Sequence, residues 1–128
     1  MINFDDYTFL YNADAHFKAM ERYPEGFFQT IIGGDLAGFN AVCWGLAETS
    51  MQGEMYRRFQ GQDKKDYLTE AKVRNMLTLP EMPEAVKVLM DAINKGMRVQ
   101  DDGEEIDEVL MELQKKTETN LTEPNILM

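Results

Sequence analysis

The side chains of this chain offer few combinations that could carry out covalent or metal chemistry. The sequence contains one histidine, His16, and one cysteine, Cys43. A nucleophile needs a base within hydrogen-bond reach, and a structural zinc site needs several Cys or His ligands. We therefore expect His16 to be a packing or surface residue and Cys43 to be a buried, inert thiol. The composition predicts a protein that is not an enzyme and that has no cofactor or metal site.

Two short motifs could suggest ligand binding, but each lacks the residues that would support it. Gly33-Gly34-Asp35 precedes a predicted helix, yet the chain has neither of the glycine patterns that bind phosphate groups, so we interpret it as a breaker followed by an N-cap. In the acidic run 101–105, Gly103 as the sixth residue of a calcium loop would place Arg98 first and Val109 twelfth, where carboxylates are required. We interpret this run as solvated charge.

Charge is distributed unevenly along the sequence. The 128 residues include 13 Lys and Arg against 23 Asp and Glu, which gives a net charge of −10. Residues 1–50 hold seven acidic and two basic residues, residues 51–100 seven and nine, and residues 101–128 nine and two. Because phosphate binding needs a basic face, we do not expect nucleic-acid binding. Because neither a long apolar run nor a signal segment is evident, we expect a cytoplasmic protein without membrane contact.

Apolar spacing and capping residues predict a mainly α fold, a single compact bundle of five or six helices after a short extended segment over 2–11. Asn12 and Thr69 are typical N-caps, and Pro24 and Pro80 are expected to end helices. We expect a helical core over residues 1–100, followed by an acidic C-terminal helix and tail over 101–128. The predicted helices cover 13–23, 25–32, 35–59, 70–77, 83–95 and 104–116.

The apolar positions also predict which faces point inwards. The first helix is expected to bury Ala13, Phe17 and Met20, and Gly96 is expected to follow the end of the fifth helix. The longest run, 35–59, has apolar residues at helical spacing over most of its length and is expected to be the central helix. Ten methionines suit either a core with irregular gaps or a surface that repacks against changing apolar partners.

The segment 52–63 carries the most distinctive pattern: Gln52-Gly53-Glu54, then an Arg57-Arg58 pair, then Gly61-x-Asp63. This pattern resembles the tail assembly chaperones of long-tailed phages and prophages of Gram-positive bacteria. Other short matches follow in the order found in that family, namely Phe9–Ala13, Tyr23-Pro24, Leu68-Thr69, Pro80, 106–107, 112–116 and 121–122. One departure is Gln62, which stands where the family has an aromatic residue.

The resemblance implies a helical, non-enzymatic chaperone that binds the tape-measure protein and assists assembly of the tail-tube protein. For such a chaperone we expect either a homo-oligomer or an exposed apolar groove, in the bacterial host cytoplasm and not in the mature virion. The resemblance also implies a longer frameshifted form. It assigns a partner-binding role to Glu54, Arg57, Arg58 and Asp63. The alternative for these four residues is an intramolecular ion-pair and capping network at the end of the central helix, and both interpretations stay open here.

Other classes of function remain as alternatives. An acidic protein can mimic nucleic acid or regulate a host protein, but the acidic residues here cluster at the two ends of the chain. A small structural component of the tail would have a similar composition. A small enzyme would require a pocket with a perturbed carboxylate, or with His16 at its floor.

Overall fold

Five α-helices account for most of the chain that the structure, a computed structural model, describes, namely residues 1–98. Two 3₁₀ turns, Phe4–Asp6 and Leu79–Glu81, complete the regular structure of these residues, which include no strand. The predicted mainly α bundle is therefore confirmed, whereas the predicted helix over 104–116 and the boundary at residue 100 lie outside the described residues. The helices are α1 (Ala13–Arg22), α2 (Phe27–Ile32), α3 (Leu36–Phe59), α4 (Glu70–Met76) and α5 (Met82–Met97).

Helix α3 is the centre of the bundle, as the sequence predicts. All six residues over 41–46 are buried, which means that this stretch of the helix is covered on every side. Trp44 packs edge-on against Phe27 with ring centroids 5.3 Å apart, and Tyr23 lies within 6 Å of both rings. At Gly45, an added Cβ would lie 2.7 Å from Leu89, so α3 and α5 are in close contact there. Small and aromatic residues together close the core around α3.

The helices begin where the predicted caps stand. Asn12 accepts a hydrogen bond from the Ala15 amide at 3.0 Å, and Thr69 accepts one from the Lys72 amide at 3.1 Å. Asp35 caps α3 in the same way, which confirms the interpretation of Gly33-Gly34-Asp35 as a breaker and an N-cap. Each cap satisfies an amide that the first turn of a helix leaves without a partner.

The prediction for the buried face of α1 is wrong. Ala15 and Ala19 are the buried residues of this helix, while Ala13, Phe17 and Met20 are exposed. The small side chains of Ala15 and Ala19 let α1 lie close to the core. At the edge of the helix, the exposed Lys18 bonds to Glu48 of α3 at 3.4 Å, and the exposed Asp14 bonds to Gln52. The apolar residues on the other side are therefore left facing outwards.

Two helix boundaries differ from the prediction by two residues, and four others differ by one. Helix α5 continues through Gly96 to Met97, because the missing side chain of Gly96 makes room for the Tyr11 carbonyl; a Cβ there would lie 1.9 Å from that oxygen. Helix α2 begins at Phe27 rather than Glu25, since Gly26 has a φ of 121°. The N-terminal segment is extended from Tyr7, but the Phe4–Asp6 turn interrupts it. Within residues 1–98, no helix has both the length and the apolar content needed to cross a membrane.

Two segments without regular structure lie along the C-terminal half of α3. On one side, the Leu10 amide donates to the Thr49 carbonyl at 3.0 Å, and the Thr8 carbonyl contacts Gly53. On the other side, the Leu68 amide donates to the Ser50 hydroxyl at 2.9 Å. Glycine at position 53 is required by this arrangement, because an added Cβ would lie 1.8 Å from the Thr8 carbonyl oxygen.

Substitution Gly53→Ala should destabilise the fold by about 2–3 kcal/mol, because the new methyl group overlaps backbone atoms that cannot move independently. Inside a helix the same substitution ordinarily stabilises by up to ~1 kcal/mol, so the expected sign is the reverse of the intrinsic propensity. Urea unfolding followed by circular dichroism measures the change.

Gly33→Ala is the matched control. Gly33 has a φ of −65°, and an added Cβ would lie 3.3 Å from the Thr30 carbonyl oxygen, a tight contact that a shift of a few tenths of an ångström relieves, so we expect a loss of at most ~1 kcal/mol. Equal effects of the two substitutions would contradict the close packing of Thr8 on α3.

Candidate functional site

The four residues to which the resemblance assigns partner binding surround one buried carboxylate. Glu54 is only 4% exposed and lies on the last turns of α3. Its Oε1 accepts a hydrogen bond from Arg57 at 2.6 Å, and its Oε2 accepts one from Arg58 at 2.9 Å. The spacings of three and four residues place both guanidinium groups on the same side of the helix as Glu54. The three side chains therefore form an intramolecular ion-pair cluster.

The cluster also binds the chain that follows α3. Glu54 Oε2 accepts a hydrogen bond from the Lys65 amide at 2.7 Å, and Arg58 donates to the Lys65 carbonyl at 3.0 Å. The Lys65 amide, together with Arg58 and Arg57, lowers the pKa of Glu54 from 4.5 to about 2. Glu54 is thus ionised across the physiological pH range, and its charge holds the loop after α3 against the helix.

Asp63 joins this cluster through its backbone rather than its carboxylate. The Asp63 carbonyl accepts a hydrogen bond from Arg57 at 3.2 Å. The neighbouring Gln62 accepts one from Arg57 Nε at 3.1 Å, so the residue that departs from the family pattern contributes a polar contact where an aromatic side chain would not. The structure therefore brings all four sequence-predicted residues together, in the arrangement of the intramolecular alternative.

The remaining members of the Gln52-Gly53-Glu54 motif also make internal contacts. Gln52 is buried; it accepts a hydrogen bond from Asn12 at 3.0 Å and donates to Asp14 at 2.6 Å. Gly53 contacts Thr8, as described above. Each residue of the motif thus attaches another part of the chain to α3. These internal contacts account for the motif without a second protein.

Two apolar grooves lie beside α5, one near each end of the helix. The first, of about 620 Å³, is bordered by α1, α2 and the last turn of α5. The second, of about 570 Å³, is bordered by the end of α2, the start of α3 and the first turns of α5. The first groove includes Met20, Phe28 and Met97 in its lining, and the second includes Leu36, Leu79 and Val86.

Exposed apolar side chains connect the two grooves. Phe28 borders the first groove, Ile32 lies one turn further along α2, and Leu36 borders the second groove after the Gly33-Gly34 turn. We call the exposed residues of this surface the apolar band; they are Met20, Phe28, Ile32, Leu36, Leu79 and Met97, with exposed fractions from 43% to 85%. Large apolar side chains grouped in this way are typical of surfaces that bind another protein.

His16 and Cys43 occupy positions close to those expected. His16 is half-buried in the wall of the first groove, with its Nδ1 atom 3.0 Å from the Tyr11 hydroxyl. No carboxylate, serine or cysteine lines that groove among the described residues. Cys43 is fully buried, and burial raises its pKa, as expected for an inert thiol. Within residues 1–98, no group of three His, Cys, Asp or Glu residues could hold a metal ion.

The residues that form the apolar band were not predicted from the sequence, although α2 contains a signal for two of them. Four of its six residues are large and apolar, in two adjacent pairs, Phe27-Phe28 and Ile31-Ile32. One buried face of so short a helix takes only one residue of each pair, here Phe27 and Ile31. The second residue of each pair is left for the surface.

Comparison of the chain with protein-family models, with curated proteins and with solved structures finds no match. The geometry of the described residues therefore carries the functional interpretation. It offers two candidate surfaces, the Glu54 cluster and the apolar band. The polar groups of the first are paired within the chain, whereas the side chains of the second are exposed.

The lowered pKa of Glu54 predicts a specific acid sensitivity. Its ionised form favours the folded state above pH 4.5, and that contribution is lost as the pH falls from 4.5 towards 2. Glu54→Gln should lower the thermal midpoint at pH 7 by several degrees. It should also reduce the slope of stability against pH between these two values. Urea unfolding at a series of pH values measures both effects.

Asp63→Asn serves as the control, since it removes a nearby carboxylate while keeping the backbone carbonyl that Arg57 uses. This variant should keep the wild-type slope below pH 4.5. The same slope in wild type and Glu54→Gln would show that Glu54 is not held by the cluster.

Proposed function

We propose that this protein is a phage tail assembly chaperone, which binds the tape-measure protein and assists tail-tube assembly through protein–protein contacts. The apolar band is the observation that carries the proposal. Its side chains project beside grooves of about 620 and 570 Å³ on a helical body. Grooves of this kind accept the apolar stripe of an amphipathic helix, and a tape-measure protein is a long helical client.

The chemistry of the first groove suits a client whose sequence varies along its length. Met20 and Met97 are exposed on opposite elements, α1 and α5, with Phe28 of α2 completing the surface. Flexible thioethers adapt to different apolar side chains at little cost. The exposure of these two methionines supports one of the two uses suggested by the sequence, namely a surface that repacks against changing apolar partners.

The charge of the chain suits a chaperone that keeps an apolar client dissolved. The net charge is −10, and the six side chains of the apolar band are uncharged. Excess like charge around a bound client opposes further association of the complex. In this proposal the protein acts in the host cytoplasm during assembly and is absent from the mature virion.

The resemblance supports the proposed function separately, through the order of its short motifs along the sequence. In this proposal the client contacts the apolar band, while Glu54, Arg57 and Arg58 hold the fold that presents it. A direct contact of these residues and Asp63 with a partner stays a prediction of the resemblance. The internal pairing of Glu54 at 2.6 and 2.9 Å favours the intramolecular alternative.

Co-expression with the tape-measure protein of the same phage tests the proposal. The intact chain should increase the soluble fraction of the tape-measure protein and co-purify with it. Phe28→Ser should weaken this binding roughly tenfold, as expected for the loss of a large apolar anchor. Isothermal titration with a purified tape-measure segment measures the change.

Phe59→Ser is the matched control, because Phe59 is 88% exposed at the end of α3 and does not line either groove. This variant should bind the client like wild type. Tape-measure solubility that is the same with and without the chain would contradict the proposed function. Equal loss in both variants would contradict the assignment of the client to the apolar band.

A further inference from the structure

We infer that the second groove binds a partner helix whose apolar stripe has a carboxylate beside it, and that Arg74 recognises this carboxylate. The inference rests on the proposed function, because it names the chemistry of the helix that this groove accepts. The Arg74 guanidinium lies over the ring of Phe39, 5.2 Å from the ring centroid, and Phe39 lines the second groove. An exposed cation of α4 therefore borders this apolar surface.

Arg74 differs from the arginines of α1 and α3, which all form ion pairs with carboxylates of the chain. Its Nη1 donates instead to the neutral side-chain oxygen of Asn40 at 2.6 Å. Glu70 lies four residues earlier on α4, at the usual spacing of a helical ion pair, yet it contacts Arg22 at 3.5 Å. Among residues 1–98, no carboxylate forms an ion pair with Arg74, so these residues leave its charge for a partner.

Two contacts hold the Arg74 guanidinium in one orientation, namely the Phe39 ring and the Asn40 side chain. Asn40 accepts from one of the N–H donors of the guanidinium, and a carboxylate can accept from two others at once. A side chain that is already held in its binding orientation loses little entropy when the partner arrives. This geometry suits a carboxylate at a fixed position of the partner.

The second groove supplies the apolar part of the site. Its lining includes one carboxylate, that of Asp35, which accepts a hydrogen bond from the Gly38 amide at 2.9 Å as the cap of α3. The 5.2 Å between the Phe39 ring and the Arg74 guanidinium is close to one turn of a helix, about 5.4 Å. A partner helix that packs an apolar side chain beside Phe39 thus brings a residue three or four positions away close to Arg74.

The local charge favours an acidic segment, although the whole chain is acidic. Residues 64–74 contain four basic and two acidic residues, whereas the net charge of the chain is −10. An acidic helix is thus attracted near Arg74 and repelled elsewhere, which favours one placement of its carboxylate over others. Arg74 therefore selects which part of a partner binds here.

Two synthetic amphipathic peptides test the inference with the full chain. Both carry a stripe of leucines; one has glutamates three and four residues from these leucines, and the other has glutamines at the same positions. Substitution Arg74→Gln should weaken binding of the glutamate peptide about fivefold at physiological salt, as expected for the loss of an ion pair. It should leave binding of the glutamine peptide unchanged, which also shows that the variant is folded. Fluorescence anisotropy of labelled peptides measures the four affinities.

Lys72→Gln is the matched control, because it removes the same charge from an exposed residue of α4 two positions away, and hence from another side of the helix. This variant should bind both peptides like wild type. Equal losses in the two variants, equal weakening of both peptides by Arg74→Gln, or no weakening of either would overturn the inference. So would a wild-type chain that binds neither peptide, or one that associates with itself and excludes both.

The proposed function can fail separately, because the peptides contain no tape-measure sequence. A chain that shows the Arg74 effect and leaves tape-measure solubility unchanged would contradict the proposed function and support the inference. A chain that keeps the tape-measure protein soluble without the Arg74 effect would contradict the inference alone.

Discussion

The fold depends on how the C-terminal half of α3 satisfies the backbone of two irregular segments. Buried amides need partners, and a segment outside a helix or sheet has none of its own. Here α3 supplies them: the Thr49 carbonyl accepts from Leu10, the Ser50 hydroxyl from Leu68 and the Glu54 carboxylate from Lys65. These contacts allow a bundle of short helices to enclose one long helix while its connections lie flat against it.

This use of α3 determines which surfaces remain free to bind other molecules. Gln52, Gly53 and Glu54 are buried because each one attaches another part of the chain. The motif that carries the family resemblance therefore marks a requirement of the fold. The six residues of the apolar band are exposed instead, and they are the part of the described surface best suited to bind protein.

Much of this fold could be predicted from local signals. Caps such as Asn12, Asp35 and Thr69 fix where helices begin, because they act on amides only two or three residues away. The central position of α3 follows from an apolar pattern sustained over its length. The sequence also allowed the ion-pair cluster as an alternative to partner binding, because Glu54 and Arg57-Arg58 lie at helical spacing.

The rest depends on contacts between distant residues, which a local pattern does not contain. Helix α1 buries Ala15 and Ala19 rather than its own apolar stripe, because small side chains let it lie close to the core. Gly96 lies inside α5 rather than after its end, and the Tyr11 carbonyl packs where a side chain at position 96 would stand. The residues of the apolar band could not be identified for the same reason, because the exposure of a side chain depends on the assembled bundle.

Amide hydrogen exchange tests most directly whether α3 holds the two irregular segments. Leu10, Lys65 and Leu68 lie outside the helices, yet their amides donate to Thr49, Glu54 and Ser50. These three amides should exchange as slowly as the buried amides of α3 and lose their protection only with global unfolding. Exchange at the rate of an unstructured chain, while α3 remains protected, would show that α3 does not organise the fold in this way.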